Sequence, residues 1–196
     1  MSRPAPVEIV PYDERWPGEF SAGAARLRRA LGGAALRLDH IGSTAVPGLA
    51  AKDVIDVQVA VSPLEVDPLV EPFARRLRAA CGERARPQAA WADESEDGWR
   101  KTFFRSLPPA RRANVHVRAA GAPNTRHTLL FRDYLRAHEH AAQAYAALKR
   151  KVAGGLESGV LVGDYADLKD PGCDIVLAAA EDWARAVGWR PGPSDA

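Results

Sequence analysis

The chain has little of what several classes of protein require. It has two cysteines in 196 residues, Cys81 and Cys173, which lie far apart and lack metal-ligand spacing. We therefore expect two free thiols in a reducing compartment rather than disulfides or a zinc site. No apolar run is long enough to span a membrane, and the first ten residues lack the apolar segment of a secretion signal. These absences favour a cytoplasmic protein without membrane contact.

A strong charge of either sign is also absent. The formal net charge is +2, although the isoelectric point is about 8.7. Nucleic-acid binding usually needs a strong basic bias, so nucleic acid is not expected as a partner. Neither Gly-x-x-x-x-Gly-Lys-Ser/Thr nor Gly-x-Gly-x-x-Gly occurs, which argues against P-loop and Rossmann nucleotide sites. The hydrophobic content of 46% and the length are typical of one globular domain.

Hydrophobic periodicity predicts strands and helices in mixed order in the first part of the chain. A short alternating segment at 7–12 indicates a strand, and residues 13–33 indicate a helix that ends at a Gly-Gly pair. Strands are predicted at 35–42 and at 52–61, and the apolarity of the second is typical of a central strand. A further helix is predicted within 62–82, beginning near Ser62 or Asp67 and ending at Gly82.

The second part of the chain is predicted to be mainly helical after a hairpin. Residues 99–106 and 113–120 flank a turn-rich segment, which is typical of a hairpin. A helical pattern covers 124–155, with Asn124 or Thr125 as cap and a glycine pair as stop. One helix or a helix pair follows over 164–189, and we expect a frayed, disordered tail after about residue 190. The fold class is thus mixed α/β, a mixed sheet packed with helices.

The segment most informative about chemistry is "HIGSTAVPGLAAKDVIDVQVAV", residues 40–61. Its Gly-Ser-Thr turn is either an anion cradle or a plain helix cap. In the strand that follows, Asp56 and Gln58 share a face. Asp53 faces the other side unless a bulge intervenes or the strand begins after it. A carboxylate in an apolar central strand is costly unless it is paired or binds a cation. Asp56 is therefore a metal ligand or an acceptor for a nearby loop.

Polar residues on later segments are candidates for the same site. Asn114, His116 and Arg118 share one face of the hairpin strand, where His116 is a metal ligand, an acid/base group or a member of a polar network. Arg132 and Arg136 lie four residues apart on a helix, as a phosphate clamp or as solvated side chains. Lys149 and Lys169 are likewise either phosphate ligands or solvated side chains. We predict that one cleft collects His40, Ser43, Asp56, Asn114, His116 and Arg132.

Several motifs together resemble the GrpB family. They are "HIGSTAVPGLAAKDVIDVQV", "NVHV", "LLFRDYLRAHEHAAQAYAALKRKVA" and "YADLK", and they are colinear from about Val7 to Trp183. The resemblance implies a DNA polymerase beta–like nucleotidyltransferase fold, in which a Gly-Ser turn precedes a strand with two acids and a later strand bears a third. The acids hold divalent metal for transfer of a nucleoside monophosphate from a nucleoside triphosphate (NTP). In some proteins a related domain is fused to dephospho-CoA kinase, which implies a nucleotide or coenzyme context.

Carried onto this chain, Gly42 and Ser43 match the Gly-Ser element and Asp56 matches the first acid. Gln58 stands where the second acid belongs, and His116 lies on the strand of the third. At a position expected to face the cleft, exchange of Gln58 for aspartate is predicted to raise the affinity for Mg²⁺.

Two functions follow as hypotheses. One is an enzyme that uses Mg²⁺ or Mn²⁺ to transfer a nucleoside monophosphate from an NTP to an unknown small-molecule acceptor. The other is a non-catalytic nucleotide- or partner-binding module on a degenerate transferase scaffold, which the missing second acid favours. The catalytic candidates are Asp56, also the metal ligand, and His116; the phosphate- or nucleotide-binding candidates are His40, Gly42, Ser43, Thr44, Lys52, Asn114, Arg132 and Lys169. The sequence does not give the oligomeric state.

Overall fold

The computed structural model describes residues 7–62, 84–87, 101–106, 111–155 and 162–196. The helix predicted over 62–82 falls outside these residues except for its first position, and so does Cys81. The prediction of a single domain over the whole chain therefore stays a prediction.

The described strands form one five-stranded mixed sheet. The strands are β1 (Arg37–Ile41), β2 (Ile55–Val61), β3 (Arg84–Pro87), β4 (Lys101–Ser106) and β5 (Ala113–Ala119). Their order in the sheet is β1-β2-β5-β4-β3. The central β2 and β5 are parallel, and the other neighbours are antiparallel. The mixed sheet and the antiparallel pairing of the two predicted hairpin strands are confirmed.

The side chains of β2 alternate between the two faces of the sheet, as the sequence pattern predicts. Val57 and Val59 join the apolar core, which the helix α1 (Trp16–Leu31) covers. Trp16 is fully buried in this core, and burial of one such large apolar side chain contributes roughly 2–3 kcal/mol. Helix α1 ends at Gly32, whose φ of 56° suits glycine. Asp56 and Gln58 point to the opposite face, and Asp53 precedes β2.

Three helices of the second half pack on one another beside that opposite face. They are α2 (Pro123–Ala137), α3 (Glu139–Gly155) and α4 (Val162–Val187), and both α2 and α3 contact α4. The predicted mixed α/β class with C-terminal helices is confirmed. No helix in the described ranges is long and apolar enough to cross a bilayer.

Three local predictions are wrong. Residues 7–12 form no strand, and Val10 makes a single bridge with Ala51. Helix α2 has no side-chain cap from Asn124 or Thr125; it begins at Pro123, because the fixed φ of proline suits the first helical turn, and both polar residues are buried inside that turn.

The third wrong prediction is the disordered tail. Ser194 Oγ accepts a hydrogen bond from the backbone N–H of Leu38 at 2.9 Å, and Asp195 accepts one from the N–H of His40 at 2.9 Å. Strand β1 lies at the edge of the sheet, so its outer backbone groups need partners. The last residues supply them and lie fixed along β1.

Candidate functional site

A cavity of about 600 Å³ lies between the end of β1, the polar face of the sheet, α3 and α4. Its polar and charged lining residues include Ser43, Thr44, Lys52, Asp56, Lys101, Arg105, Asn114, His116, Tyr145, Lys149, Tyr165, Asp167, Lys169 and Asp170. Five of these side chains are Lys or Arg and three are Asp, so the cavity favours an anionic ligand.

The backbone of the Gly-Ser turn lies close to the side chain of Asp56. Gly42 directly follows β1 and has a φ of 72°, a backbone conformation that favours glycine. A Cβ atom at this position would lie 2.6 Å from Oδ2 of Asp56, which is too close for any substituent. The register explains the approach, since Ile41 pairs with Asp56 across the two antiparallel strands. Glycine thus allows the turn and the carboxylate to share one corner of the cavity.

Two residues of β5 hold the Asp56 carboxylate. Asn114 donates a hydrogen bond from Nδ2 to Oδ1 at 2.9 Å, and Nε2 of His116 lies 3.4 Å from the same oxygen. Burial alone would raise the pKa of Asp56, but these contacts and the charge of Lys52 lower it below the usual value. Burial lowers the pKa of His116 to about 4, so the ring is neutral at pH 7. The pair is an ionised carboxylate beside a neutral imidazole.

Lys149 joins this corner from helix α3. Its ammonium donates to Ser43 Oγ at 2.8 Å and to the carbonyl oxygen of Ala50 at 2.5 Å. It also lies 4.8 Å from the centre of the Tyr145 ring. Burial lowers the pKa of Lys149 to about 7, so the group is poised between its charged and neutral forms at neutral pH. Binding of an anion beside Ser43 would favour the charged form.

Other lysines line the cavity around Asp56. Lys52 lies over the Tyr165 ring at 4.9 Å, and burial lowers its pKa. Lys169 lies 3.0 Å from the sulfur of Cys173 and 3.5 Å from Asp170. Burial, followed by the charge of Arg118, lowers the pKa of Lys101 to about 8.

His40 and Arg132 lie outside this lining, so the predicted convergence of six residues is wrong for these two. The ring of His40 stacks on Phe20 at 4.7 Å, and its Nε2 lies 3.0 Å from Thr44 Oγ1. Burial lowers its pKa to about 4. Thr44 lines the cavity and His40 does not, so His40 contacts the cavity wall only through Thr44.

Arg132 serves the fold rather than the cavity. It donates to the carbonyl oxygen of His40 at 3.0 Å and to the carboxylates of Asp133 and Asp195 at 2.7 Å each. Its side chain is 4% exposed. These contacts occupy the guanidinium and fasten α2 and the C-terminal residues to β1. Arg132 therefore does not line the cavity, and its role as a phosphate ligand stays a prediction.

Gln58 is also absent from the cavity lining, which corrects the prediction that it faces the cleft. Its Oε1 accepts hydrogen bonds from Arg118 at 2.7 Å and from Thr128 at 2.6 Å, and its Nε2 donates to the carbonyl of Thr125 at 3.3 Å. The side chain is fully buried. Alternation along β2 correctly gives it the same sheet face as Asp56, but the start of α2 covers that position.

The described residues do not form a site for two resident metal ions. They contain no cluster of three or more His, Cys, Asp or Glu side chains that could hold a metal. Asp56 is a single carboxylate, and Gln58 is already satisfied by Arg118 and Thr128. Mg²⁺ is commonly held by one or two carboxylates together with substrate phosphates. With one carboxylate, the donor set fits a single cation that takes its other ligands from outside the protein.

Lys149 has two alternative roles by its sequence pattern alone, and Lys101 is not among the predicted site residues. A usable signal existed for Lys149, which lies four residues after Tyr145 on the buried stripe of α3. A lysine on such a stripe needs a polar partner, which predicts a role inside the molecule. For Lys101 no comparable signal exists, because a charged residue at the start of an edge-proximal strand is ordinary.

Comparison with known proteins defines the family. Residues 6–178 match the family described as GrpB protein, and the chain belongs to this family. Dephospho-CoA kinase of Mycolicibacterium paratuberculosis is 38% identical over 201 residues, which cover 95% of this chain and 49% of that protein. UPF0157 protein YqkA of Bacillus subtilis is 31% identical over 191 residues, covering 97% and 50%. The chain spans about half the length of these curated relatives.

A solved structure supports the same family. The conserved protein GrpB from Enterococcus faecalis has a TM-score of 0.69 at 27% identity, and the match covers 90% of this chain and 99% of that one. The predicted membership in the GrpB family is thus confirmed.

Proposed function

We propose that the cavity binds an NTP and that the protein transfers its nucleoside monophosphate to a small-molecule acceptor. The observation that carries the proposal is the contact between Lys149 and Ser43 beside Asp56. A buried ammonium and a hydroxyl meet at a glycine turn, next to the one carboxylate that β2 turns toward the cavity. Phosphate oxygens entering this corner would accept charge-assisted hydrogen bonds.

The triphosphate occupies the side of the cavity near the Gly-Ser turn. Ser43 and the backbone N–H groups of the turn bind its terminal phosphates, and Lys149 neutralises their charge. Lys52 and Lys169 line the same cavity and add positive charge. Lys52 donates no hydrogen bond to any described side chain or carbonyl, so its ammonium gains an acceptor when a phosphate binds.

Transfer follows from the placement of Asp56 and His116. The acceptor atom attacks the α-phosphorus and forms a new bond there. The bond from that phosphorus to the bridging oxygen breaks, and pyrophosphate leaves with the electron pair. The acceptor's proton passes to the neutral His116 ring, and the adjacent Asp56 carboxylate stabilises the resulting charge. Asp56 would hold a divalent cation, which when bound neutralises charge on the phosphates.

Titration calorimetry with a non-hydrolysable NTP and Mg²⁺ or Mn²⁺ tests the binding step. Loss of one charge-assisted hydrogen bond is worth about 1.5–3 kcal/mol. We therefore expect Lys149→Met to weaken binding by roughly 10- to 100-fold. The matched control is Lys151→Met, which removes an exposed lysine two residues further along α3. Equal affinity in the two variants would contradict the proposed phosphate site.

The transfer step is tested separately by pyrophosphate release with pooled small-molecule acceptors. Asp56→Asn should abolish release, whereas Lys151→Met should not change it. A second function, nucleotide binding without turnover, is favoured by the closed Gln58–Arg118 network, which replaces the second acid with a neutral amide. Nucleotide binding that depends on Lys149, with no pyrophosphate release under any acceptor, would select this second function.

A further inference from the structure

Among the residues that the structure describes, the cavity cation Lys101 has no hydrogen-bond acceptor. It begins β4 and lines the cavity, yet its ammonium donates no hydrogen bond to any residue in the described ranges. Burial and the charge of Arg118 lower its pKa, while Asp170 and Asp56 act in the opposite direction. Asp170 also lies 3.5 Å from Lys169 and is therefore shared between two lysines. A half-buried ammonium without an acceptor favours binding of an anion.

The order of strands separates Lys101 from the Gly-Ser turn. The sheet runs β1-β2-β5-β4, so Asp56 on β2 and His116 on β5 lie between the turn at the end of β1 and the cavity side of β4. Lys101 pairs with Arg118 across β4 and β5, and Arg105 pairs with Asn114. Residues directly opposite in an antiparallel pair share a face. Lys101 and Arg105 thus lie beside Asp56 and His116 on the side away from Ser43 and Lys149.

We propose that Lys101 and Arg105 form an anion subsite for the acceptor, so that the acceptor is a small molecule bearing a phosphate or carboxylate group. This inference rests on the proposed function, in which the NTP occupies the opposite side. Arg105 lines the cavity from the same strand and offers the planar fork that suits either anion. The buried guanidinium of Arg118 adds positive charge beside Lys101. A cationic acceptor would meet like charge at this wall.

The size of the cavity agrees with a small acceptor. A volume of about 600 Å³ lies within the usual range for small-ligand sites of roughly 300–1,000 Å³. The acceptor and the nucleotide must share it, so the anionic group must lie close to the accepting atom. A phosphate or carboxylate on β4 then fixes that atom near the α-phosphorus, and such positioning accounts for much of the rate enhancement in transfer reactions.

The test uses the full chain saturated with a non-hydrolysable NTP and Mg²⁺. Inorganic phosphate and acetate are titrated separately by calorimetry, with ionic strength held constant by chloride. The two probes distinguish a phosphate-bearing acceptor from a carboxylate-bearing one. We expect one of them to bind the saturated protein, with at least tenfold weaker binding in Lys101→Met and retained binding in Lys101→Arg. Lys151→Met serves as the control, and nucleotide affinity should change less than twofold in Lys101→Met.

Two results would overturn the inference while the proposed function stands. One is nucleotide binding by the wild type with no binding of either anion to the saturated protein. The other is a loss of nucleotide affinity in Lys101→Met as large as that in Lys149→Met, which would assign Lys101 to the nucleotide. Absence of nucleotide binding in the wild type would instead overturn the proposed function, and the acceptor subsite with it.

Discussion

Exchange of Lys149 for methionine tests whether a titrating ammonium is buried beside the Gly-Ser turn. The residue is 3% exposed, and its pKa falls from an ordinary value of 10.5 to about 7. The folded-state pKa lies below the unfolded one, so between these values the unfolded chain binds more protons. The free energy of unfolding must therefore rise with pH from about 7 upward. Well below pH 7 the Lys149 side chain is charged in both the folded and the unfolded chain, and its contribution to the free energy of unfolding is constant.

The size of the effect follows from the same two pKa values. One unit of pKa shift corresponds to about 1.4 kcal/mol. Since titration begins gradually around pH 7, Lys149 should contribute a rise of about 2 kcal/mol in the free energy of unfolding between pH 7 and pH 9. The Lys149→Met variant should lack this rise. Its absolute stability also changes, because Ser43 and the Ala50 carbonyl lose a donor, but that loss does not vary with pH.

The assay is urea unfolding at pH 6, 7, 8 and 9 for the wild type, Lys149→Met and the exposed control Lys151→Met. The quantity of interest is the difference between wild type and variant as a function of pH. Lys101 titrates in the same range, but it remains in both proteins and its contribution cancels in the difference. A difference that is flat from pH 7 to 9 would refute the assignment of a buried, titrating Lys149.

Three further predictions concern residues outside the cavity lining. Gln58→Asp should leave Mg²⁺ affinity unchanged by calorimetry, because the new carboxylate lies beside Arg118 in a closed network; tighter metal binding would show that this position is open to the site. His40, with a folded pKa of about 4, should lower stability as pH falls from 6.5 to 4. His40→Gln should remove about 3 kcal/mol of this loss. The prediction is wrong if the free energy of unfolding falls as steeply between pH 6.5 and pH 4 in the variant as in the wild type. Asp195→Ala should destabilise the protein by about 1–3 kcal/mol in urea, since it removes a partner of Arg132; unchanged stability would mean that the C-terminal residues do not fasten β1.

Local sequence patterns predicted a large part of the framework. The helical repeat of α1 and its glycine stop, the alternation of β2 and the pairing of β4 with β5 all appear in the structure. Each depends on neighbours within one or two segments, so short-range periodicity suffices. The association of Asp56 with Asn114 and His116 was also predictable. Alternation gives each strand's polar face, and the parallel pairing of β2 with β5 joins those faces.

The errors have a common origin in contacts between distant segments. Arg132 has the same local pattern whether it binds phosphate or, as in the structure, the carbonyl of His40 and the carboxylate of Asp195. The final residues contain proline and glycine, which is typical of a frayed tail, yet they satisfy backbone groups of an edge strand more than 150 positions earlier. Gln58 has the face that alternation predicts, but the start of α2 covers it.

The sequence by itself determined the family, the mixed α/β class and the corner formed by the Gly-Ser turn and Asp56. Only the tertiary structure decided which cations share that corner. Lys149 is 106 residues from Ser43, and no local repeat relates the two. The physical reason is that a strand's alternation gives a side chain its direction, whereas its partner depends on how separate elements pack. Burial of that partner then sets its pKa, and with it the chemistry available at the site.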